Sequence, residues 1–342
     1  MKQLKTFLLL CAITFSYVSV LAQAIHFSQF YMSPLNLHPA LTGVMNSQVR
    51  VVGNYRNQWA SGLKSNAFST YSASYDQKIP VGRYDYFGVG GTFWGDKAGQ
   101  LDFKTLQAKV SASYSKRMGG YRSKSHYLVV GVEGGIAQRS IDFTRAQWAS
   151  QHDGEGGFNG NLNSGEEFAN DNFYSFELGE GINWSATFEN GNTFNLGSSF
   201  AHLNRANQSF DPISDLPLYS KFGLHGKATL KIAPKVNLTP RIMSWRQGPS
   251  FELNGGTGIQ LILKEETLNA IELGIATRLA NSAAPYDPNN VGNTDVTIWT
   301  DALIFNLNYI HQKFVIGLSY DLNVSDLKQA SNGNGADELA VV

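Results

Sequence analysis

The chain has almost no cysteine, and the one it has is misplaced for structure. Cys11 is the only cysteine in 342 residues and lies inside an apolar N-terminal run, Phe7 to Leu21. That excludes a disulfide framework and a thiolate metal site in the rest of the chain. After that run, no segment approaches the roughly 18 uncharged apolar residues of a spanning helix. Charge is also scarce: Asp, Glu, Lys and Arg make up 16% of the chain, below the usual quarter. The 27 basic and 27 acidic residues cancel, so nothing in the charge balance points to a nucleic-acid partner. The seven histidines are scattered, with no His-x-x-x-His or His-Glu-x-x-His pair, so a metal site is unsupported. Asp153-Gly-Glu-Gly-Gly157 and Asp287-Pro-Asn-Asn290 lack calcium-loop spacing and read as turns. Gly88-Val-Gly90-Gly91 and Gly131-Val-Glu-Gly134-Gly135 fall within strand patterns with no helix after them. They are not dinucleotide loops; glycines there relieve crowding and allow bends. No nucleophile stands in a recognisable motif with a base. An enzyme and a cofactor are therefore not expected.

What the chain does have begins with a secretory signal. Lys2 and Lys5 precede the apolar run, and Val20-Leu-Ala22 and Ala22-Gln-Ala24 are both plausible cleavage sites. Residues 1–24 are read as a Sec-type signal peptide, 25–46 as an N-terminal arm or lumen plug, and 47–342 as one β domain. Aromatics reach 12% and glycine 34 residues. From residue 47 onward, strand follows strand with period-2 alternation. Tyr174, Phe176, Leu178, Ile182 and Trp184 share one face, interrupted by Glu180, while Ser175, Glu177, Gly179, Gly181 and Asn183 share the other. Ile271, Leu273 and Ile275 likewise oppose Glu272 and Ala276. A soluble sandwich also alternates, so connection lengths must decide. About fourteen strands can be counted. Every second connection is short, such as Pro80-Val-Gly82, Gly119-Gly120, Asn190-Gly191 and His311-Gln312. The others include 141–171, 204–216, 280–294 and 325–335. Short turns at one end and long loops at the other is the pattern of an outer-membrane barrel, with its lipid-facing apolar side outward. The expected fold is all-β: a transmembrane antiparallel β-barrel of the outer membrane with an irregular N-terminal arm. Trp59, Tyr84, Tyr86, Trp94, Tyr127, Tyr174, Trp299 and Tyr309 stand near strand ends. They fit interface girdles or ordinary strand propensity equally.

The arm, Ile25 to Gly43, reads as neither helix nor strand. Pro34 and Pro39 each remove a backbone donor, yet Phe27, Phe30, Tyr31, Met32, Leu35 and Leu37 crowd the segment with apolar side chains. Such a segment needs a surface, and these six are expected to plug or narrow the lumen, packed on the inner wall near the periplasmic end. On the first strand, Arg50, Asn54, Arg56 and Gln58 oppose Val49, Val51, Tyr55 and Trp59. A cation facing lipid near mid-membrane costs about 2–4 kcal/mol, so Arg56 should point inward and find a carboxylate, Asp321 or Glu272. With Arg278 these make up the candidate partner-binding set: Arg50, Asn54, Arg56, Gln58, Glu272, Arg278 and Asp321. A purely structural ion pair remains the other reading of Arg56.

Several blocks carry a family resemblance. Phe27-Ser-Gln-Phe-Tyr-Met-Ser-Pro-Leu35, His38-Pro-Ala-Leu-Thr-Gly43, Asn54-Tyr-Arg-Asn-Gln-Trp59, Thr70-Tyr-Ser-Ala-Ser-Tyr-Asp76 and Ile316-Gly-Leu-Ser-Tyr-Asp321-Leu-Asn-Val-Ser325 resemble the PorP/SprF family. The resemblance implies an outer-membrane barrel of the Bacteroidota type IX secretion system. It implies a role in exporting or retaining cell-surface proteins with a type B C-terminal signal domain, such as gliding adhesins. Implied partners are other type IX components, including a periplasmic peptidoglycan-binding lipoprotein. A general diffusion porin is the alternative, because it shares the barrel features. The final stretch Glu338-Leu-Ala-Val-Val342 lacks the terminal aromatic common in outer-membrane barrels and reads as a short strand, which leaves barrel closure open.

Overall fold

The computed structural model describes residues 25–120, 124–152, 157–165, 170–211, 213–264, 269–281, 298–325 and 328–342. The signal segment, Asp287–Asn290 and most of Asp153–Gly157 lie outside the described residues.

The strands are β1 (Val49–Gln58), β2 (Phe68–Val81), β3 (Asp85–Ala98), β4 (Phe103–Gly119), β5 (Ser125–Ser140), β6 (Asn172–Thr187), β7 (Thr193–Ala201) and β8 (Lys221–Ala233). They continue with β9 in two pieces (Val236–Leu238 and Arg241–Gln247), β10 (Ser250–Lys264), β11 (Asn269–Asn281), β12 (Ile298–His311), β13 (Phe314–Asn323) and β14 (Asn334–Val341). The break in β9 falls at Pro240, which cannot donate to the ladder; its carbonyl still accepts from Ala228 N at 3.0 Å. Each strand pairs antiparallel with the next, and β14 pairs back onto β1, from Gly53 opposite Val341 to Gln58 opposite Ala336. The barrel therefore closes with fourteen strands.

The long connections all lie at one end. That end carries 59–67, 141–171, 202–220, 282–297 and 324–333, with two short connections, 99–102 and 248–249, among them; the other end carries 82–84, 120–124, 188–192, 234–235, 265–268 and 312–313. Outward side chains are apolar and uncovered: Val110 is 71% exposed and Phe176 70%. Inward neighbours are polar and covered, with Arg56 at 3% and Glu272 at 4%. Tyr86 and Trp94 do not join an outer girdle. Both are buried on the lumen side, where Trp94 Nε1 donates to Gln107 Oε1 at 2.6 Å and the Lys78 ammonium sits 4.1 Å from the Tyr86 ring centre.

The arm is more regular than its prolines suggested. It folds as three single turns: Phe30–Met32, Pro34–Leu37 and Pro39–Leu41. Pro34 and Pro39 each open a turn at the first position, where a missing N–H costs nothing. The arm touches all fourteen strands, which is possible only from inside. Asn36 Nδ2 donates to Ser72 Oγ on β2 at 2.7 Å, Ser113 Oγ on β4 donates to Thr42 O at 2.6 Å, and Asn308 Nδ2 on β12 donates to the Tyr31 hydroxyl at 3.1 Å. Phe30 forms a small apolar cluster with Met243 and Trp245 of β9, joined by Tyr31 and Leu37. Two wall glycines explain how tightly the arm fits. A Cβ on Gly131 would lie 2.5 Å from Ala40 Cα, and one on Gly88 would lie 2.2 Å from Thr42 O. Only glycine lets the two backbones approach this closely.

The arm's position corrects one expectation. Its first residues are not at the short-turn end. Ser28 meets Arg56 and Asp321, both beside the long-loop end, whereas Leu41 and Gly43 meet Arg50 and Asp76 at the short-turn end. The chain therefore runs down the lumen from the long-loop mouth and enters β1 from the opposite end. A segment of some 19 residues inside a barrel has no other way to reach both mouths.

Candidate functional site: the lumen network and the long-loop mouth

Three charged clusters fix the arm to the wall. The first surrounds Ser28. Arg56 and Glu338 are direct cross-strand neighbours on β1 and β14. Arg56 Nη2 donates to Asp321 at 2.9 Å, and its Nη1 reaches Glu338 at 3.4 Å and donates to the Ser28 hydroxyl. Glu338 accepts from the backbone N–H groups of Ser28 and Gln29 at 2.7 and 3.0 Å. Asp321 accepts from the Ser28 hydroxyl at 2.7 Å and from Arg278 Nη1 at 2.9 Å, while Arg278 Nε holds Asp301 at 2.6 Å. A carboxylate gripping two consecutive backbone donors fixes the arm's main chain as well as its side chain.

The second cluster is at the short-turn end. Arg50 holds Asp76 in a two-pronged pair at 2.9 and 2.7 Å and donates to Leu41 O at 2.9 Å; Asp76 also accepts from Gly43 N at 2.7 Å. The third is at mid-wall. Arg241 pairs with Glu272, which also accepts from Asn308 at 2.7 Å, and the Arg241 guanidinium stacks 3.6 Å from the Tyr31 ring centre. His38 is held by Ile182 O at 3.1 Å on one nitrogen, and its Nδ1 accepts from Ala40 N at 3.0 Å. The second contact leaves Nδ1 without a proton and puts the ring's one proton on Nε2.

The candidate residues named from sequence land as follows. Arg56, Arg278 and Asp321 meet in one network at the long-loop end. Arg50 lies at the opposite end, and Glu272 belongs to the third cluster, so Glu272 is not the partner of Arg56. Asn54 Nδ2 donates to Met32 O at 3.3 Å. Gln58 is half-buried at the long-loop end of β1. Phe27, Phe30, Met32 and Leu35 are buried, with Tyr31 and Leu37 half-buried. Sequence reading missed Ser28, Glu338, Asp76 and Arg241. Glu338 and Asp76 each occupied an inward position by alternation, and that parity was the available signal.

Above the arm, the long loops are built rather than loose. Phe210 reaches down from the 202–220 connection into Phe103, Phe143 and Phe173, with ring centres 6.3, 6.1 and 5.0 Å away. Its neighbours form a tight turn. Ile213 N donates to Asp211 Oδ1 at 3.0 Å and Ser214 Oγ to Asp211 Oδ2 at 2.7 Å, which leaves Ile213 94% exposed at the tip. Phe158 and Leu162 are exposed in the neighbouring 141–171 connection. Asp102, in the turn between β3 and β4, holds Lys97 at 2.5 Å and Arg145 at 3.0 Å; the Lys97 bond leads in keeping its carboxyl below the usual range. Among the described residues no group of three or more His, Cys, Asp and Glu is placed to hold a metal ion.

A closed barrel, polar inside and apolar outside, threaded by a segment that carries the most distinctive sequence blocks, matches one family model over residues 19–341: "Type IX secretion system membrane protein PorP/SprF". The chain belongs to the PorP/SprF family. It is an outer-membrane protein of type IX secretion. No curated protein shows significant sequence similarity to it. Among solved structures it is similar to CdiB from Escherichia coli, at 11% identity and a TM-score of 0.48, over 85% of this chain and 62% of that one. It is also similar to BamA from Haemophilus ducreyi (10% identity, TM-score 0.39, 87% and 70% covered) and to OprB from Pseudomonas putida (11%, 0.36, 86% and 92%). The chain thus spans about three-fifths of the length of CdiB. Within the family, the Arg56–Asp321 pair lies in the two sequence blocks, Asn54–Trp59 and Ile316–Ser325, that carried the resemblance.

Proposed function

We propose that this PorP/SprF protein is a non-enzymatic docking barrel with a sealed lumen, which holds a secreted surface protein bearing a type B C-terminal domain at its extracellular mouth. The observation that carries the reading is the arm: it contacts every strand and runs from one mouth to the other. A diffusion porin needs a continuous water path, and an arm laid through the lumen against every strand supports its obstruction. The three charged clusters make the arm part of the fold rather than a detachable stopper, because removing it would strand buried carboxylates and guanidiniums. The lumen residues Arg50, Arg56, Glu272, Arg278 and Asp321 act through that role, holding the platform rigid from within. A non-enzymatic reading is supported by the buried histidines, each of which has at least one ring nitrogen held by a neighbour: His38 by Ile182 and Ala40, His202 by Glu177, His225 by Asn195.

Recognition falls to the mouth. Long loops at the extracellular end carry function on rigid scaffolds, and an aliphatic side chain standing in water at the tip of a braced turn is a contact waiting for a pocket. Ile213 is that side chain. The test replaces Ile213 by Asp, which leaves the turn's Asp211 bonds in place. Surface display of a type B-domain protein is then measured alongside barrel abundance and heat-shifted migration. Lost display from an abundant, normally migrating barrel supports the reading; full display refutes this part of the mouth. The periplasmic peptidoglycan-binding lipoprotein, if engaged, would meet the short-turn end.

A further inference from the structure

The outer wall carries one charge out of place. Glu180 lies on β6, eight residues from its first residue and seven from its last in Asn172–Thr187. It shares the outward face with Leu178 and Ile182 and is exposed there. Its cross-strand neighbours are Val132 on β5 and Phe200 on β7, both exposed on the same face. No hydrogen bond or ion pair joins its side chain to any described residue. Among the described residues, the other charged side chains at outward positions, Asp85, Lys97, Lys104, Lys116, Arg246 and Asp337, lie within about four residues of a strand end, where a barrel's interface begins. Glu180, seven or more residues from both ends of β6, is farther from a strand end than any of these. An ionisable group in that position marks a site, and the question is what meets it.

The wall beside it is shaped. Ile182 pairs with Ser198, Ser198 with Leu224, and Leu224 with Ser244; one step further, Leu196 pairs with Gly226. Small residues at Ser198, Gly226 and Ser244 form the floor of a shallow depression rimmed by Trp184, Leu196 and Ile242. Small floors of this kind let a second membrane surface approach closely.

We infer that the β6–β9 face is a lateral interface for a different integral outer-membrane protein, one that places a Lys or Arg of its own lipid-facing band against Glu180. A second copy of this chain does not fit, because a two-fold contact would bring the same face to itself, and among its described outward residues no cation lies so far from a strand end. The inference is independent of recognition at the mouth.

The test uses the full-length protein in its native outer membranes. A photo-crosslinking amino acid is placed at Ser198 and, as a lipid-facing control on the far wall, at Ile275. The expected result is an adduct at Ser198, absent at Ile275, with one integral outer-membrane protein whose cross-linked segment holds a Lys or Arg. Glu180→Gln should lower that adduct about tenfold or more, as removing one partner of an interfacial ion pair does, and Glu180→Lys should abolish it. Heat-shifted migration confirms that each variant is folded; Glu180→Gln alone decides the matter if the Lys variant does not fold. An adduct with a second copy overturns the inference, as does no adduct at Ser198, or an adduct unchanged by Glu180→Gln.

Discussion

Replacing Arg56 by Gln removes the guanidinium at the centre of the long-loop cluster and leaves a shorter, neutral amide in its place. Arg56 is 3% exposed and stands between Asp321 at 2.9 Å, Glu338 at 3.4 Å and the Ser28 hydroxyl. Stripping one partner from a buried ion pair costs about 3–5 kcal/mol, because the remaining charge is left uncompensated. Two features hold the loss toward the lower figure. Asp321 keeps Arg278 at 2.9 Å, and Glu338 keeps the backbone donors of Ser28 and Gln29. A loss of about 3 kcal/mol is therefore expected, read as a fall in the urea midpoint in a membrane mimetic and in the temperature of the migration shift. Adding Glu338→Gln should recover most of it, since removing both charges leaves no orphan. An Arg56→Gln barrel within about 0.5 kcal/mol of the parent, the range of ordinary surface changes, would refute the reasoning, as would a double variant whose losses simply add.

Other outcomes follow from the same contacts. Gly131→Val drives a side chain into the Ala40 backbone, which a Cβ alone would meet at 2.5 Å, and should cost at least about 1–3 kcal/mol; Gly53→Ala, with open space at its Cβ, serves as the near-neutral comparison in the same unfolding assay. Phe210→Ala should loosen the mouth, raising protease sensitivity of the 202–220 connection with the barrel's migration unchanged.

The barrel was legible because two periodicities agree: side chains alternate along each strand, and connections alternate in length. Ile271 and Glu272, or Val49 and Arg50, already stood on opposite faces in the sequence. Closure was not legible, because it depends on β14 meeting β1 across the whole chain, and Glu338-Leu-Ala-Val-Val342 carries no local mark of that pairing. The arm's composition pointed to a wall, but not to its direction through the lumen. That follows from which distant side chains receive Ser28 and Gly43. Alternation gave Arg56 its inward sense, yet could not choose between Asp321 and Glu272, since depth along the barrel depends on strand tilt and register. Glu180 was visible as an interruption of an apolar face. Only the fold placed it on the outer wall with small residues on the strands beside it.

The sealed lumen is tested most directly by conductance. Purified full-length protein, reconstituted in a planar bilayer at neutral pH, is expected to show no steady open channel, while the same preparation lacking residues 25–43 should conduct wherever it folds. A large, steady conductance from the intact chain would contradict the central claim and restore the diffusion porin.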